Sequence, residues 1–127
     1  MPREIAVIDD DESFRTALVD SLSSLGYGAE GYSSAEDYIN GIAHKSFDCV
    51  VTDLHMTGMS GLDLMQQFAA RGFKIPVVLV TAHAELNLEA RAAAAGAAGL
   101  LRKPFEINDL IECIEGALGN SRPPPNR

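Results

Sequence analysis

The sequence predicts an α/β protein in which five parallel strands form one sheet, with helices covering both faces. Two observations predict this fold. Short apolar runs alternate along the chain with segments whose apolar residues recur every three or four positions. The runs are mostly apolar and do not alternate with polar residues, which is typical of parallel strands buried on both sides.

Five apolar runs are the predicted strands. They cover residues 5–8, 27–32, 47–52, 77–80 and 99–101. The second run is the weakest because it contains two glycines, and Pro76 opens the fourth.

Five segments with helical spacing follow these strands. Gly26 and Gly96 end the first and fourth helices, and Ser33 or Ser34 caps the second. The fourth helix is an alanine-rich stretch at residues 84–95. The predicted inner faces of the other four are Phe14, Leu18, Leu22 and Leu25; Ala35, Tyr38, Ile39 and Ile42; Leu62, Met65, Phe68 and Ala69; and Ile107, Leu110, Ile111, Ile114 and Leu118.

The length of 127 residues fits one domain, which we place at residues 1–119. Residues 120–127 contain three prolines and have the composition of a linker or tail, so an output domain absent from this chain is one interpretation of them. The net charge of −8 argues against nucleic-acid binding by this segment, because phosphate backbones are held by Lys and Arg clusters. An acidic chain remains able to bind cations or a basic partner.

Cys49 and Cys113 are far apart in sequence and show no metal or redox spacing, so we predict two reduced thiols. The short N-terminal segment runs directly into the first strand, without the pattern of a signal peptide. No apolar stretch approaches the roughly 20 residues of a membrane span. These features predict a cytoplasmic protein.

Polar residues stand where the predicted strands end. Asp9 and Asp10 follow the first strand, Asp53 the third, Thr81 the fourth and Lys103 the fifth. Because parallel strands all point the same way, these residues are expected at one edge of the sheet, where open α/β sheets bind ligands. Carboxylates that lie this close together repel one another and need a cation between them. Ligands that are all oxygen atoms favour Mg²⁺ over zinc or copper.

This combination of groups suits phosphoryl transfer. Asp53 is the candidate nucleophile, which would form an acyl phosphate. Mg²⁺ and Lys103 would neutralise charge on the phosphoryl oxygens, and the Thr81 hydroxyl would donate a hydrogen bond.

Each residue taken alone has an ordinary explanation. Asp9 and Asp10, with Asp11, resemble the acidic first turn of a helix. Asp53 fits a loop or a cap, Thr81 fits a helix cap, and a lone lysine before a proline is usually solvated. The occurrence of all of them at strand ends favours a shared site.

The same residues lie in motifs that resemble the receiver family of bacterial two-component response regulators, over residues 3–119. Within the family (CheY-like receivers), the chain looks most similar to the nitrogen-fixation regulators (FixJ-type). The motifs are Val7-Ile8-Asp9-Asp10-Asp11-Glu12, Val51-Thr52-Asp53-Leu54-His55-Met56, Met59-Ser60-Gly61, Leu79-Val80-Thr81-Ala82 and Lys103-Pro104-Phe105.

The resemblance implies a flavodoxin-like fold, (βα)5, with strand order 2-1-3-4-5. It also implies that Asp53 accepts a phosphoryl group from a histidine kinase or phosphotransfer protein. Asp10, Asp53 and the His55 backbone carbonyl would hold Mg²⁺, while Asp9 would act mainly through water. Such a protein is a signalling receiver, and the reactions it catalyses are its own phosphorylation and autodephosphorylation.

The resemblance further implies how the signal is passed on. Lys103 would pair with the acidic cluster and then with the phosphoryl group, and a cis Lys103–Pro104 bond would orient it. Movement of Thr81 would be the switch. The output and dimer face would span residues 84–118, where Leu86, Leu88 and Leu100 are expected to form an apolar patch. We expect no membrane partner.

The chain departs from the family pattern at two positions. Leu100 stands where the family often has Tyr or Phe, so the usual coupling of Thr81 to an aromatic ring is in doubt. Thr57 stands where proline is usual, which predicts a more mobile loop.

Two histidines border the predicted site, since His55 and His83 stand two residues after Asp53 and Thr81. We hypothesise that they influence the lifetime of the acyl phosphate by restricting or orienting water. The alternatives are two solvent-facing loop histidines or a metal site of their own.

Two other functions compete with this interpretation. Haloacid-dehalogenase-type phosphohydrolases also use an aspartate after an apolar strand, but they need a second aspartate where this chain has His55. A receiver-like domain that docks partners without phosphorylation usually lacks one of the acidic pair, the acceptor or the lysine, and this chain has all of them.

Overall fold

A computed structural model of the chain describes residues 3–41, 46–83 and 85–119. It confirms the predicted fold, a five-stranded parallel sheet in the order β2-β1-β3-β4-β5. The strands are β1 Glu4–Ile8, β2 Gly28–Tyr32, β3 Cys49–Asp53, β4 Val77–Thr81 and β5 Gly99–Arg102. The helices are α1 Glu12–Ser24, α2 Ala35–Gly41, α3 Gly61–Arg71, α4 Leu88–Ala94 and α5 Ile107–Ala117.

The sheet is buried on both faces because successive side chains of each strand point to opposite sides. Ala6 and Ile8 of β1 lie in the core cluster that α2, α3 and α4 cover. Ile5 and Val7 of the same strand lie in the second cluster, which α1 and α5 cover. Burial on both faces explains why the strands are continuous apolar runs in the sequence.

Local hydrogen bonds determine where the helices begin. The Asp11 side chain accepts from the Phe14 N–H at the start of α1, so Asp11 caps this helix. Ser34 Oγ accepts from the Asp37 N–H at the start of α2, so the cap is Ser34. Ala35 and Tyr38 of that helix are buried as predicted, and Ile42 lies outside the described residues.

Helix α3 has a capping box in which the Ser60 and Asp63 side chains each accept a backbone N–H of the other residue. Its inner face differs from the prediction. Leu64 is buried there and Ala69 is exposed, because the helix begins at Gly61 and turns Leu64, Met65 and Phe68 to the sheet.

Helix α4 is shorter than the alanine pattern predicts. It begins at Leu88, and Asn87 before it has a left-handed backbone (φ 63°) that an α-helix interior does not contain. The predicted apolar patch is also wrong. Leu88 is fully buried and Leu100 is half-buried against the core, so Leu86 alone of these three leucines is well exposed.

The third strand begins later than predicted, at Cys49, and Phe47 is buried just before it. Both cysteines are free, as predicted, with Cys49 buried and Cys113 partly buried. Within the described part of the chain, no helix is long and apolar enough to cross a membrane.

Candidate functional site

Three aspartates come together at the carboxyl edge of the sheet. Asp9 and Asp10 follow β1, and Asp53 is the last residue of β3. The two strands are neighbours in register, with Ile8 beside Thr52, so their ends coincide. One carboxylate oxygen from each aspartate lies within 4.8 Å of the others.

Asp9 is the buried member of this group, with 1% of its surface exposed. Its Oδ1 accepts from the Asp11 N–H at 2.9 Å, and its Oδ2 accepts from Lys103 Nζ at 2.9 Å. Both oxygens are therefore engaged within the protein. Arg15 Nη1 also donates to the Asp9 backbone carbonyl at 2.8 Å, which fixes the start of this loop.

Lys103 is the cation of the site. It follows β5, its backbone N–H donates to the Thr81 carbonyl at 2.7 Å, and its peptide bond to Pro104 is cis as predicted. Nζ lies 3.7 Å from Asp53 Oδ2 and 3.9 Å from the centroid of the Phe14 ring. The ammonium is thus held against both Asp9 and Asp53, with an aromatic face beneath it.

Asp53 lies in an electrostatically unfavourable place for a carboxylate. Burial raises its pKa above the ordinary value of 3.8, and the nearby charge of Asp9 adds to the effect. Lys103 and the His55 N–H act in the opposite direction but do not cancel it. The folded site therefore disfavours the ionised form of Asp53.

Asp10 is exposed, and its Oδ2 accepts from the Thr57 N–H at 3.2 Å. A proline at position 57 has no N–H to donate, so the chain's departure from the family pattern adds a hydrogen bond here. Glu36 of α2 accepts from the Met59 N–H at 3.0 Å. The loop between β3 and α3 is thus attached on two sides.

Thr81 is fully buried, and its hydroxyl binds the backbone two residues on. Oγ1 accepts from the His83 N–H at 3.0 Å and lies 3.4 Å from the His83 carbonyl oxygen, to which it donates. Thr81 therefore stabilises the turn after β4 and does not cap α4.

The two histidine rings meet across the loops that follow β3 and β4. The ring centroids of His55 and His83 are 4.6 Å apart with an edge-on geometry. His55 Nε2 lies 2.7 Å from Glu85 Oε2, and Arg91 Nη1 donates to Glu85 Oε1 at 3.1 Å. No sequence motif contains Glu85, and its position here could not be predicted because it depends on a contact between two loops.

Leu100 is half-buried in β5 and pairs with Leu79 of β4. It packs against the cluster under α2, α3 and α4. The position that the family often fills with an aromatic ring is thus part of the core here.

The donor set decides which metal fits. Among the described residues, Asp9, Asp10 and Asp53 are the group of three or more potential ligands with suitable geometry. All of their donors are carboxylate oxygens, which suit Mg²⁺. His55 and His83 do not belong to such a group, so the described geometry gives no support to a separate histidine metal site.

Comparison with known proteins agrees with this geometry. The family model of the response regulator receiver domain matches residues 5–115. The chain is 34% identical over 119 residues to the transcriptional regulatory protein FixJ of Bradyrhizobium diazoefficiens, covering 94% of this chain and 58% of FixJ. It is 33% identical over 118 residues to the transcriptional regulatory protein TdiR of Thauera aromatica, covering 93% and 52% of the two chains.

A solved receiver structure has the same fold. The crystal structure of FixJ-N superposes with a TM-score of 0.85 at 30% identity, covering 94% of this chain and 95% of that one. The chain spans between half and three-fifths of the length of the two curated relatives, FixJ and TdiR. It belongs to the response regulator receiver domain family of two-component systems.

Proposed function

We propose that Asp53 accepts a phosphoryl group from the phosphohistidine of a histidine kinase or phosphotransfer protein. The observation that carries this proposal is the position of Lys103 Nζ, which lies 2.9 Å from Asp9 and 3.7 Å from Asp53. A fixed cation beside a partly buried carboxylate in an acidic cluster is suited to receiving a phosphoryl group.

The transfer forms one bond and breaks one. An Asp53 Oδ attacks phosphorus, the P–N bond to the donor imidazole breaks, and the imidazole keeps the bonding electrons. Asp53 must be ionised to attack, and Lys103 supports this by opposing the rise that burial causes in the pKa of Asp53. When bound, Mg²⁺ supplies the charge that neutralises the phosphoryl oxygens.

The metal would be held by Asp10, Asp53 and the His55 backbone carbonyl. Asp9 would act through water, since its two oxygens already accept from the Asp11 N–H and Lys103. Magnesium keeps several of its waters, so this division of roles is compatible with its chemistry.

The switch would begin at Thr81. Its hydroxyl would have to leave the His83 carbonyl, 3.4 Å away, to donate to a phosphoryl oxygen. Because Leu100 offers no ring that turns inward, the loop after β4 and the start of α4 would carry the change. The receiving surface would lie on residues 84–118, as a homodimer or output contact, and residues 120–127 would form the linker or tail.

His55 and His83 would influence hydrolysis of the acyl phosphate. Their rings lie side by side in the two loops that follow Asp53 and Thr81. If His55→Ala and His83→Ala leave the dephosphorylation rate unchanged, this role is wrong.

The proposal is tested by incubating the protein with acetyl phosphate and Mg²⁺ and measuring its intact mass. We expect one phosphoryl adduct that hydroxylamine removes and that Asp53→Asn abolishes. Because small donors do not serve every receiver, the incubation is repeated with a phosphorylated histidine kinase.

Two results would favour other functions. If neither donor gives an adduct, the protein is better explained as a domain that docks partners without being phosphorylated. Turnover of a generic phosphate ester by catalytic amounts of protein would indicate a phosphohydrolase instead.

A further inference from the structure

Glu85 joins three parts of the molecule at the mouth of the site. It belongs to the loop between β4 and α4, and its two carboxylate oxygens contact different elements. Oε2 lies 2.7 Å from His55 Nε2 in the loop after β3, and Oε1 accepts from Arg91 Nη1 of α4 at 3.1 Å. A carboxylate bound at both oxygens is fixed in position.

We propose that Glu85 is a positioning residue that holds His55 beside the phosphoacceptor and thereby lengthens the lifetime of the acyl phosphate. The inference rests on the proposed phosphorylation of Asp53. It gives a role to Glu85, which is not one of the residues that we propose to take part in phosphoryl transfer.

The first reason is the order that Glu85 imposes on His55. The His55 side chain is 39% exposed, so without a partner it would sample several rotamers. Glu85 holds the Nε2 atom of the His55 ring. The His83 ring packs edge-on against the His55 ring, with 4.6 Å between the two centroids. Arg91 holds Glu85 in turn, so little entropy is lost when the His55 contact forms.

The second reason is the location of the histidine pair. His55 is two residues from Asp53, and His83 binds Thr81 through its backbone. The two strands that end in Asp53 and Thr81 are neighbours in the sheet. The rings therefore meet across the two loops that follow Asp53 and Thr81, and we infer that they narrow the approach from solvent to Asp53.

Hydrolysis requires that approach. A water oxygen attacks phosphorus in line with the leaving Asp53 Oδ, the P–Oδ bond breaks, and Asp53 keeps the electrons as a carboxylate. The products are the carboxylate, inorganic phosphate and a proton released to solvent. A fixed His55 ring restricts the positions that the attacking water can take, so releasing the ring accelerates the reaction.

The test is a double-mutant cycle on the decay of the phosphorylated full chain. Wild type, Glu85→Ala, His55→Ala and the double variant are phosphorylated with acetyl phosphate and Mg²⁺, the donor is removed, and adduct loss is followed by intact mass. Glu89→Ala is the matched control, because Glu89 lies on α4 and pairs with Arg102, away from the histidines. Thermal melts of all variants show whether each one is folded.

We expect Glu85→Ala to decay roughly three- to fivefold faster than wild type, the range that a partly exposed polar pair can account for. His55→Ala should be similarly fast, the double variant no faster than His55→Ala, and Glu89→Ala unchanged. An unchanged or slower decay of Glu85→Ala overturns the inference, as does an effect of Glu85→Ala that persists without His55. A wild-type protein that forms no adduct contradicts the proposed phosphorylation itself, which is a separate result.

Discussion

At the scale of single residues, the site is defined by an imbalance of charge. Three carboxylates lie within 4.8 Å, and Lys103 is the ammonium that contacts two of them. Burial and Asp9 raise the pKa of Asp53, so its ionised form destabilises the folded protein when no metal is present. The same imbalance provides the attraction for a cation.

Replacing Asp53 by Asn should therefore stabilise the protein at pH 7 without divalent metal. We expect the melting temperature to rise by about 3 °C, since roughly 1 kcal/mol shifts a domain of this size by about 4 °C. Thermal melts in a chelating buffer measure the difference. A lower melting temperature for Asp53→Asn would contradict the charge imbalance.

The pH dependence of that difference follows from the direction of the pKa shift. A carboxyl with a raised pKa in the folded state stabilises the fold below its unfolded pKa and loses that contribution as pH rises through the folded value. The advantage of Asp53→Asn should thus be smallest near pH 4 and increase toward pH 7. A difference that is constant between these values would show that ionisation of Asp53 is not its cause.

Tyr38 is a second residue whose polar group is buried at a cost in stability. It is fully buried, its ring packs at 5.4 Å from Tyr32 and 6.0 Å from Phe68, and burial raises its pKa. Its hydroxyl has no hydrogen-bond partner among the residues that the structure describes.

Tyr38→Phe should keep the ring contacts and remove this hydroxyl. We expect a gain of about 1 kcal/mol in the free energy of unfolding, the cost typical of an unpaired buried polar group. Urea denaturation monitored by circular dichroism measures the change, with Tyr27→Phe as a control that loses a hydrogen bond to Glu115 and should be destabilised. Destabilisation by Tyr38→Phe would mean that the hydroxyl is satisfied in solution.

At the scale of elements, the position of Asp53 depends on how closely α3 approaches the end of β3. A Cβ added to Gly61 would lie 2.9 Å from the Asp53 carbonyl oxygen and 2.9 Å from Leu79 Cδ2. The Gly61 N–H also donates to the Leu54 carbonyl at 3.0 Å. The helix start and the strand end therefore fit together only if residue 61 has no side chain.

Gly61→Ala should push the helix away from Asp53. We expect a loss of about 1–3 kcal/mol in stability, as for other overpacked sites, together with slower phosphorylation by acetyl phosphate. Gly116→Ala in α5 is the matched control, because nothing lies within 4 Å of its added Cβ and alanine favours a helix by up to roughly 1 kcal/mol. Equal effects of the two substitutions would contradict the steric explanation.

At the scale of the whole molecule, the sheet divides the core into two clusters that depend on each other. The central strand β3 contributes Val50 to one cluster and Cys49 and Val51 to the other. Cys49 is fully buried, and burial raises the pKa of its thiol to about 12. Its sulfur can become a reactive thiolate only when the sheet opens.

Alkylation should therefore distinguish the two cysteines. At pH 8 we expect Cys113, which is partly buried, to react in the folded protein, and Cys49 to react only at the rate of global opening. Mass spectrometry of iodoacetamide-treated protein separates the two sites, and added Mg²⁺ should slow labelling of Cys49 by stabilising the fold. Rapid labelling of Cys49 in native protein would indicate local opening of β3.

Much of the fold follows from local patterns. The apolar runs predict all five strands, and the 3.6-residue spacing predicts the helices, because burial of one face of each helix determines the pattern. Errors occur where local propensity and packing disagree. Alanines favour a helix from residue 84, whereas the left-handed backbone of Asn87 breaks the helical conformation and α4 begins at Leu88.

By itself, the sequence determined the residues that form the polar edge of the sheet, since topology alone brings Asp9, Asp53 and Lys103 to the ends of parallel strands. The tertiary structure decided which of their atoms are engaged: both oxygens of Asp9 are occupied, Asp10 accepts from Thr57, and Thr81 binds its own turn. It also decided that Glu85 contacts His55 across two loops. The physical reason is that strand periodicity is encoded locally, whereas side-chain hydrogen bonds between loops depend on distances that only the folded chain defines.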